Sequence, residues 1–283
     1  MTRFESIGPE RGEEALDFCR SQPAQSVFLA GWITDGGLRG NPVVPRGWIM
    51  AERASDSRVV GLCYLSATGI LMPVMNQASS IEHLYSVARS NPGLIRVIVG
   101  ERGLVSALWS RIGALGLVAR LSRDQMVYAV TREGFSTTAD RLPLVEAALP
   151  HLDRLIEASA AMAREEAQDD PQARNPALFH ERIKARVARG RDFVHMRDAQ
   201  TLVFKGNISA LCDVGGQLEG IYTSPDFRRR GYGRRGTTAL TSLVLERTPR
   251  AYLLVNDDNA PARALYASLG YEPSFKSRTI FVA

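Results

Sequence analysis

The sequence predicts an α/β protein, a mixed sheet carrying helices and divided into two domains. Three observations predict it. The chain has 283 residues, enough for about two domains at roughly 150 residues each. Short apolar runs alternate with helical stretches in both halves. A polar segment at 131–142 (TREGFSTTADRL), with Gly134 and a Ser-Thr-Thr cluster, separates the halves. The expected boundaries are therefore 1–133 for an N-terminal domain, 134–142 for a linker and 143–283 for a C-terminal domain.

Along the first half, SVFLAGWI at 26–33, GWIMAE at 47–52, VVGLCYLS at 59–66 and GILMPV at 69–74 read as strands bounded by turn residues. A helix at 78–90, a strand at 94–100, a helix through Arg111 to Gly116 and a strand at 125–130 complete it. The second half opens on a long helix from about Leu144 to Ala167, breaks at DDPQARNP, and resumes as a helix at 177–189. Strands follow at 192–197, 201–206, 208–214 and 217–223. Then come a helix from Gly231, a strand at 251–255, a short helix at 260–268 and a closing strand near 278–282.

Composition excludes several classes. Apolar residues make up 45% and charged residues 23%, which fits a packed chain and not a disordered one. No apolar run approaches the ~18 residues that span a bilayer, and the first residues, MTRFESIGPERGEEALDF, are too acidic for a secretory signal. A cytoplasmic protein without a membrane partner is expected. The net charge is +5, and only Lys184, Lys205 and Lys276 are lysines. Such a modest excess is weak evidence for nucleic acid and is compatible with a phosphate-bearing small ligand. Cys19, Cys63 and Cys212 are scattered and form no CxxC pair, and the four histidines are equally dispersed. Neither a disulfide framework nor a metal site is expected.

The most informative segment is QLEGIYTSPDFRRRGYGRRGTTALTSLVLE at 217–246, where a strand leads through an arginine-rich turn into a helix. Backbone amides at a glycine turn and a helix N-terminus make an anion site. Gly231 and Gly233 remove side chains that would block a diphosphate, while Arg228, Arg229, Arg230 and Arg234 add charge-assisted donors. Gly231, Gly233 and Gly236 also satisfy the dinucleotide pattern GxGxxG. Only about fifty residues follow, however, and no acidic residue ends the strand AYLLV to hold a ribose. RRRGYGRR could also touch nucleic-acid phosphates, but no nucleic-acid module surrounds it.

A second motif selects among these readings. The pattern R-x-x-G-x-G at Arg228, Gly231 and Gly233, followed by LLVNDDNAPARALYASLGYEP with Asn259, Tyr266 and Leu269-Gly270-Tyr271, resembles the GCN5-related N-acetyltransferase (GNAT) superfamily. The resemblance covers about 140–283. The segments MAREEAQDDP, NPALFHERIKARVARGRDF and VFKGNISAL resemble a subgroup whose members carry an extra, degenerate acetyltransferase-like N-terminal domain. Two tandem acetyltransferase-like domains are thus implied, with the acetyl-CoA motif intact only in the second.

The resemblance implies acetyl-CoA as co-substrate and an amine acceptor as partner, with no metal. A non-catalytic acetyl-CoA-binding module is the alternative, and a homodimer is one assembly left open. It assigns backbone of Ile221, Tyr222 and Thr223 to the pantetheine arm. Arg228, Arg229, Arg230, Gly231, Tyr232, Gly233 and Arg234 fall to the pyrophosphate. Asn259 falls to the pantetheine, with a second role as helix N-cap. Tyr266 matches the general acid. Related enzymes place a glutamate in the strand before the loop or at the position of Leu254, which cannot take a proton. Strand alternation puts Gln217, Glu219 and Ile221 on one face, so Glu219 is the expected base. Glu165 and Glu166, ending the long helix, are candidates to bind a cationic acceptor.

Overall fold

The computed structural model describes residues 3–41, 44, 46–75, 81–91, 93–136, 140–167 and 170–283. The chain folds into two compact units, each discontinuous in sequence. The first comprises Met1–Ala129, Leu254–Arg263 and Pro273–Ala283; the second comprises Val130–Leu253 and Ala264–Glu272.

The first unit contains β1 (Arg3–Ile7), α1 (Gly12–Ser21), α2 (Pro23–Thr34), β2 (Gly47–Arg53), β3 (Val59–Ser66) and β4 (Ile70–Met75). These are followed by α3 (Ile81–Ser90), β5 (Val97–Glu101), α4 (Arg102–Ile112) and β6 (Ala119–Thr131). The chain's last strand, β12 (Glu272–Val282), also runs here, antiparallel to β5, with Ile280 opposite Ile98. Strand order is β1-β2-β3-β4-β5-β12-β6. β1 to β4 form an antiparallel meander, and β4 meets β5 in parallel. Ile280 and Val282 join Leu71, Ile98, Val105 and Leu108 in one apolar core. That burial places a C-terminal strand among N-terminal ones, because strand pairing rewards complementary faces whatever their separation along the chain.

The expected strand at 26–33 is a helix, α2. Val27, Leu29, Ala30, Trp32 and Ile33 are all buried, so the segment is apolar nearly all round and carries no period to tell helix from strand. Pro23 at its first position and Ser26 Oγ, which donates to the Gln22 carbonyl (2.7 Å), fit a helix start. The helix expected at 78–90 is α3 from Ile81; residues 78–80 lie outside the described ones.

The second unit contains β7 (Val145–Glu146), α5 (Leu152–Ala167), α6 (Pro171–Arg174), α7 (Pro176–Val187), β8 (Asp192–Asp198) and β9 (Thr201–Cys212). β10 (Gly215–Thr223) and α8 (Tyr232–Leu245) follow; β11 (Arg250–Asn256) and α9 (Ala260–Ser268) cross the division, with only 250–253 and 264–268 in this unit. Strand order is β11-β10-β9-β8-β7. The long helix expected from Leu144 starts only at Leu152, since Val145 and Glu146 pair with β8. The two strands expected at 201–206 and 208–214 are the single strand β9. The DDPQARNP break arises from two N-caps: Asp170 caps α6 and Asn175 caps α7, each followed by a proline at the first helical position.

Helices cover both faces of this sheet. Leu155, Ile156, Ile183 and Val187 of α5 and α7 pack with Val194, Leu202 and Tyr222. On the other face α8 lies so close that a Cβ on Gly236 would fall 2.6 Å from the Phe204 ring. No helix among the described residues is long and apolar enough to cross a membrane.

Candidate functional site

The site begins where β10 leaves β11. The parallel pairing covers Gly216, Gln217 and Leu218 against Ala251, Tyr252 and Leu253, and stops there. From Glu219 to Thr223 the strand keeps only its antiparallel partner, β9. The backbone of Ile221, Tyr222 and Thr223 therefore has polar groups that β11 does not use. A bulge between Glu219 and Tyr222 accompanies the departure. Gly220 adopts φ +61°, and a Cβ there would lie 2.6 Å from Asn207 Oδ1.

The bulge corrects the expected alternation. Glu219 pairs across the ladder with Asn207 and lies in the field of Arg186 of α7, whereas Ile221 turns to the α8 side, near Gly206 and Leu240. One inserted residue flips every later side chain to the other face. Glu219 does stay with Gln217, whose Nε2 donates to its Oε1 (2.6 Å). Atoms crowded around the Glu219 carboxyl raise its pKa, although the side chain keeps an exposed edge.

The turn is pinned at its start by Ser224, whose amide donates to the Val203 carbonyl (3.0 Å) and whose hydroxyl donates to the Leu202 carbonyl (2.6 Å). Arg229 (φ +58°) and Gly231 (φ +82°) are both left-handed, and Gly231 caps α8. Left-handed residues flanking a helix start turn successive amides inward, the geometry of an anion nest. A Cβ on Gly231 would meet nothing within 4 Å, so open space lies over the turn. On Gly233 it would come 3.2 Å from Thr223 Oγ1. Tyr232 packs against Phe227 (5.6 Å between ring centroids) and His195 (6.4 Å). Arg229, Arg230 and Arg234 are exposed, with Arg230 also donating to the Asp226 carbonyl (3.3 Å).

Arg228 is held differently. Its Nε donates to the Thr223 carbonyl, and one Nη spans both Glu165 oxygens, all at 2.9 Å. Its guanidinium also covers the Tyr222 ring at 5.2 Å. Glu165, expected to meet a cationic acceptor, is thereby occupied by the turn itself.

Tyr266 is 7% exposed, and its hydroxyl has no hydrogen-bond partner among the described residues. Burial, and then the Glu166 carboxylate, raise its pKa. Behind it, Tyr271 Oη shares a 2.8 Å hydrogen bond with Thr241 of α8. Gly270 (φ +86°) closes α9 so tightly that a Cβ would strike the Gly134 carbonyl at 2.0 Å. Leu269-Gly270-Tyr271 thus docks the end of α9 in the second unit. Asn259 Oδ1 accepts from the Ala262 amide (3.2 Å) and caps α9.

One residue here was not singled out from the sequence. Lys205 of β9, opposite Tyr222, is 2% exposed, and its Nζ donates to the Gly220 carbonyl at 3.0 Å. A lysine inside the apolar run TLVFKG was the available signal. Among the described residues, no group of three or more His, Cys, Asp or Glu is placed to hold a metal.

Residues 207–280 match the family model described as FR47-like protein. No curated protein sequence matches the chain. Its fold is similar to that of a Drosophila protein of solved structure (12% identity, 98% of each chain covered, TM-score 0.69). It is also similar to a tandem GNAT protein from the clavulanic acid biosynthesis pathway (15% identity, 100% of this chain and 98% of that one, TM-score 0.58). A GCN5-related N-acetyltransferase from Sphaerobacter thermophilus gives 11% identity, 99% and 94% coverage and a TM-score of 0.57. The chain therefore shares the fold of these solved structures, a tandem GNAT protein among them, and residues 207–280 match the FR47-like model.

Proposed function

Starting from the fold shared with a tandem GNAT protein and the FR47-like match over residues 207–280, we propose that the protein is an N-acetyltransferase. It moves the acetyl group of acetyl-CoA to an amine on a small molecule, a peptide or a protein lysine. One observation carries this reading: β10 departs from β11 at Leu218, immediately ahead of the left-handed turn that opens α8. The departure frees strand backbone for an extended amide-bearing arm, and the turn gathers amides for a diphosphate at that arm's far end. The open space over Gly231 suits such a group.

In the proposed mechanism, acetyl-CoA supplies an activated acyl group as a thioester. Ile221, Tyr222 and Thr223 hold its arm through main-chain groups. The turn from Arg229 to Arg234 holds the pyrophosphate, and Arg228, tied to Glu165, fixes the turn to α5. Asn259 contributes through its cap of α9. Aligning both substrates supplies much of the acceleration, and a β10 amide is suited to the charge that develops on the carbonyl oxygen. The Tyr266 hydroxyl, without a hydrogen-bond partner among the described residues, protonates the departing sulfur. Glu219 is the carboxylate on the strand itself. Leu254 lacks a carboxylate, which favours a binding module without catalysis, but a buried tyrosine with no partner among the described residues argues for a proton donor.

Calorimetry with acetyl-CoA, and with NADH as control, tests the reading. Micromolar binding of acetyl-CoA alone is expected; binding of NADH alone overturns it. Tyr266→Phe is expected to bind acetyl-CoA like the wild type and lower kcat by ~100-fold. An unchanged kcat removes Tyr266 from the mechanism.

A further inference from the structure

Lys205 is a buried amine, 2% exposed, with no carboxylate in direct contact among the described residues. Its Nζ touches the Gly220 carbonyl at 3.0 Å and Met162 Sδ at 3.9 Å, and makes no ion pair among the described residues. The nearest buried carboxylate, Asp192 of β8, is taken by Arg186 of α7, whose Nε donates to both oxygens (2.8 and 3.0 Å). That pair is close to neutral and leaves Lys205 as the excess cation. A buried amine in this position sheds its proton.

The amine also contacts the bulge of β10, on which the proposed site is built. Gly220 is the bulge residue where β10 leaves β11, and Lys205 pairs across the ladder with Tyr222, a residue assigned to the pantetheine arm. The groups facing Lys205 are Glu166 of α5, Arg186 of α7, Asp192 of β8 and the Tyr222 ring of β10. Beyond that ring lie Glu165 and Arg228, bound to one another. The Glu166 carboxylate acts on Lys205 and on Tyr266 alike. Glu219, by contrast, is held by Gln217 and lies in the field of Arg186 and Arg189.

Building on the acetyltransferase reading, we propose that neutral Lys205, and not Glu219, is the base that takes the proton from the acceptor amine. The acceptor nitrogen bonds to the thioester carbonyl carbon, and its proton passes to Lys205 Nζ, which becomes an ammonium. The carbon–sulfur bond breaks, and the sulfur takes the Tyr266 phenolic proton. The ammonium proton then returns through solvent to the phenolate, resetting both groups. Desolvation, and then the Arg186 charge, bring the Lys205 pKa down to about 7, while Asp192 and Glu166 oppose them less strongly. Such a base is half-ready at neutral pH.

With only three lysines in the chain, NMR titration of the full-length protein labelled with carbon-13 at lysine Cε reads the group directly, Lys184→Arg and Lys276→Arg giving the assignment. One resonance, absent from Lys205→Met, is expected to titrate near pH 7. A midpoint above ~9 overturns the proposal. In parallel, thiol release from acetyl-CoA is followed with spermidine, glucosamine and a lysyl tripeptide as acceptors, and with water where none of them reacts. Wild-type kcat/KM is expected to rise with pH through a midpoint near 7. Lys205→Arg keeps a donor for Gly220 but cannot lose its proton; Lys205→Met keeps the volume. Both are expected to bind acetyl-CoA normally and to lose kcat by at least ~100-fold together with that midpoint. Either variant keeping the wild-type pH profile overturns the proposal. Failure of the wild type to bind acetyl-CoA overturns the acetyltransferase reading instead, and the base assignment with it, wherever the lysine titrates.

Discussion

Single residues in the second unit show how a degenerate motif divides its labour. The glycines at 231, 233 and 236 form one pattern on paper but do three things in space. Gly231 supplies a left-handed backbone beneath open space, Gly233 brings α8 close to Thr223, and Gly236 lets α8 rest on Phe204. Gly236→Ala is therefore expected to destabilise the fold by about 1–3 kcal/mol through overpacking, with acetyl-CoA affinity little changed. A lower urea midpoint at constant m-value is the check. Lys205 has the opposite signature. Its folded pKa of about 7 lies below that of an unfolded lysine, so between about pH 7 and 10.5 the unfolded chain holds the extra proton and stability climbs with pH. Lys205→Met is expected to be more stable than the wild type at pH 6, by a few kcal/mol at most on the order of that shift, and the gap is expected to close by pH 10. Equal stabilities at pH 6 would mean that the buried amine costs nothing.

At the scale of elements, the decisive feature is the bulge in β10. It ends the partnership with β11, turns Ile221 to the α8 face and aims the Gly220 carbonyl at Lys205. Gly220→Ala meets both a left-handed backbone, which costs about 1–2 kcal/mol in an L-residue, and Asn207 Oδ1 at 2.6 Å. It is expected to lower stability by at least about 1 kcal/mol and to weaken acetyl-CoA binding together with transfer. Chemical denaturation and calorimetry on the same preparation decide this; an unchanged protein would mean that the bulge is not fixed by its glycine. The starts of α6, α7 and α9 carry signals in the sequence because capping chemistry is local: Asp170-Pro171, Asn175-Pro176 and Asn259-Ala260-Pro261 each mark a helix start. The bulge is not readable, because QLEGIYT alternates as well as any regular strand until β9 sets its register.

For the whole molecule, the chain's order and its packing diverge. Read along the chain, residues 143–283 form one continuous C-terminal half. In space, 273–283 and 254–263 lie in the first unit. Ile280, 2% exposed, sits in that unit's core with Leu71, Ile98 and Leu108. Ile280→Ala is expected to cost about 2–5 kcal/mol and to lower amide-exchange protection in β5 and α4 more than in β9 and β10. Greater loss in β9 and β10 would place β12 with the second unit.

The mixed α/β class, most of the element order and the turn from Arg228 to Gly236 are legible along the chain. These depend on local periods, caps and glycine chemistry, which act over a few residues. Even there, 26–33 reads as a strand and folds as a helix, because a segment buried nearly all round shows no period. That β12 joins β5, that Glu165 is held by Arg228, and that Lys205 is buried beneath the bulge with no ion pair among the described residues follow from packing alone. Strand pairing, ion pairing and desolvation each depend on groups that are distant in the chain and adjacent in space. Their outcome is fixed only when the sheet and its covering helices close around them.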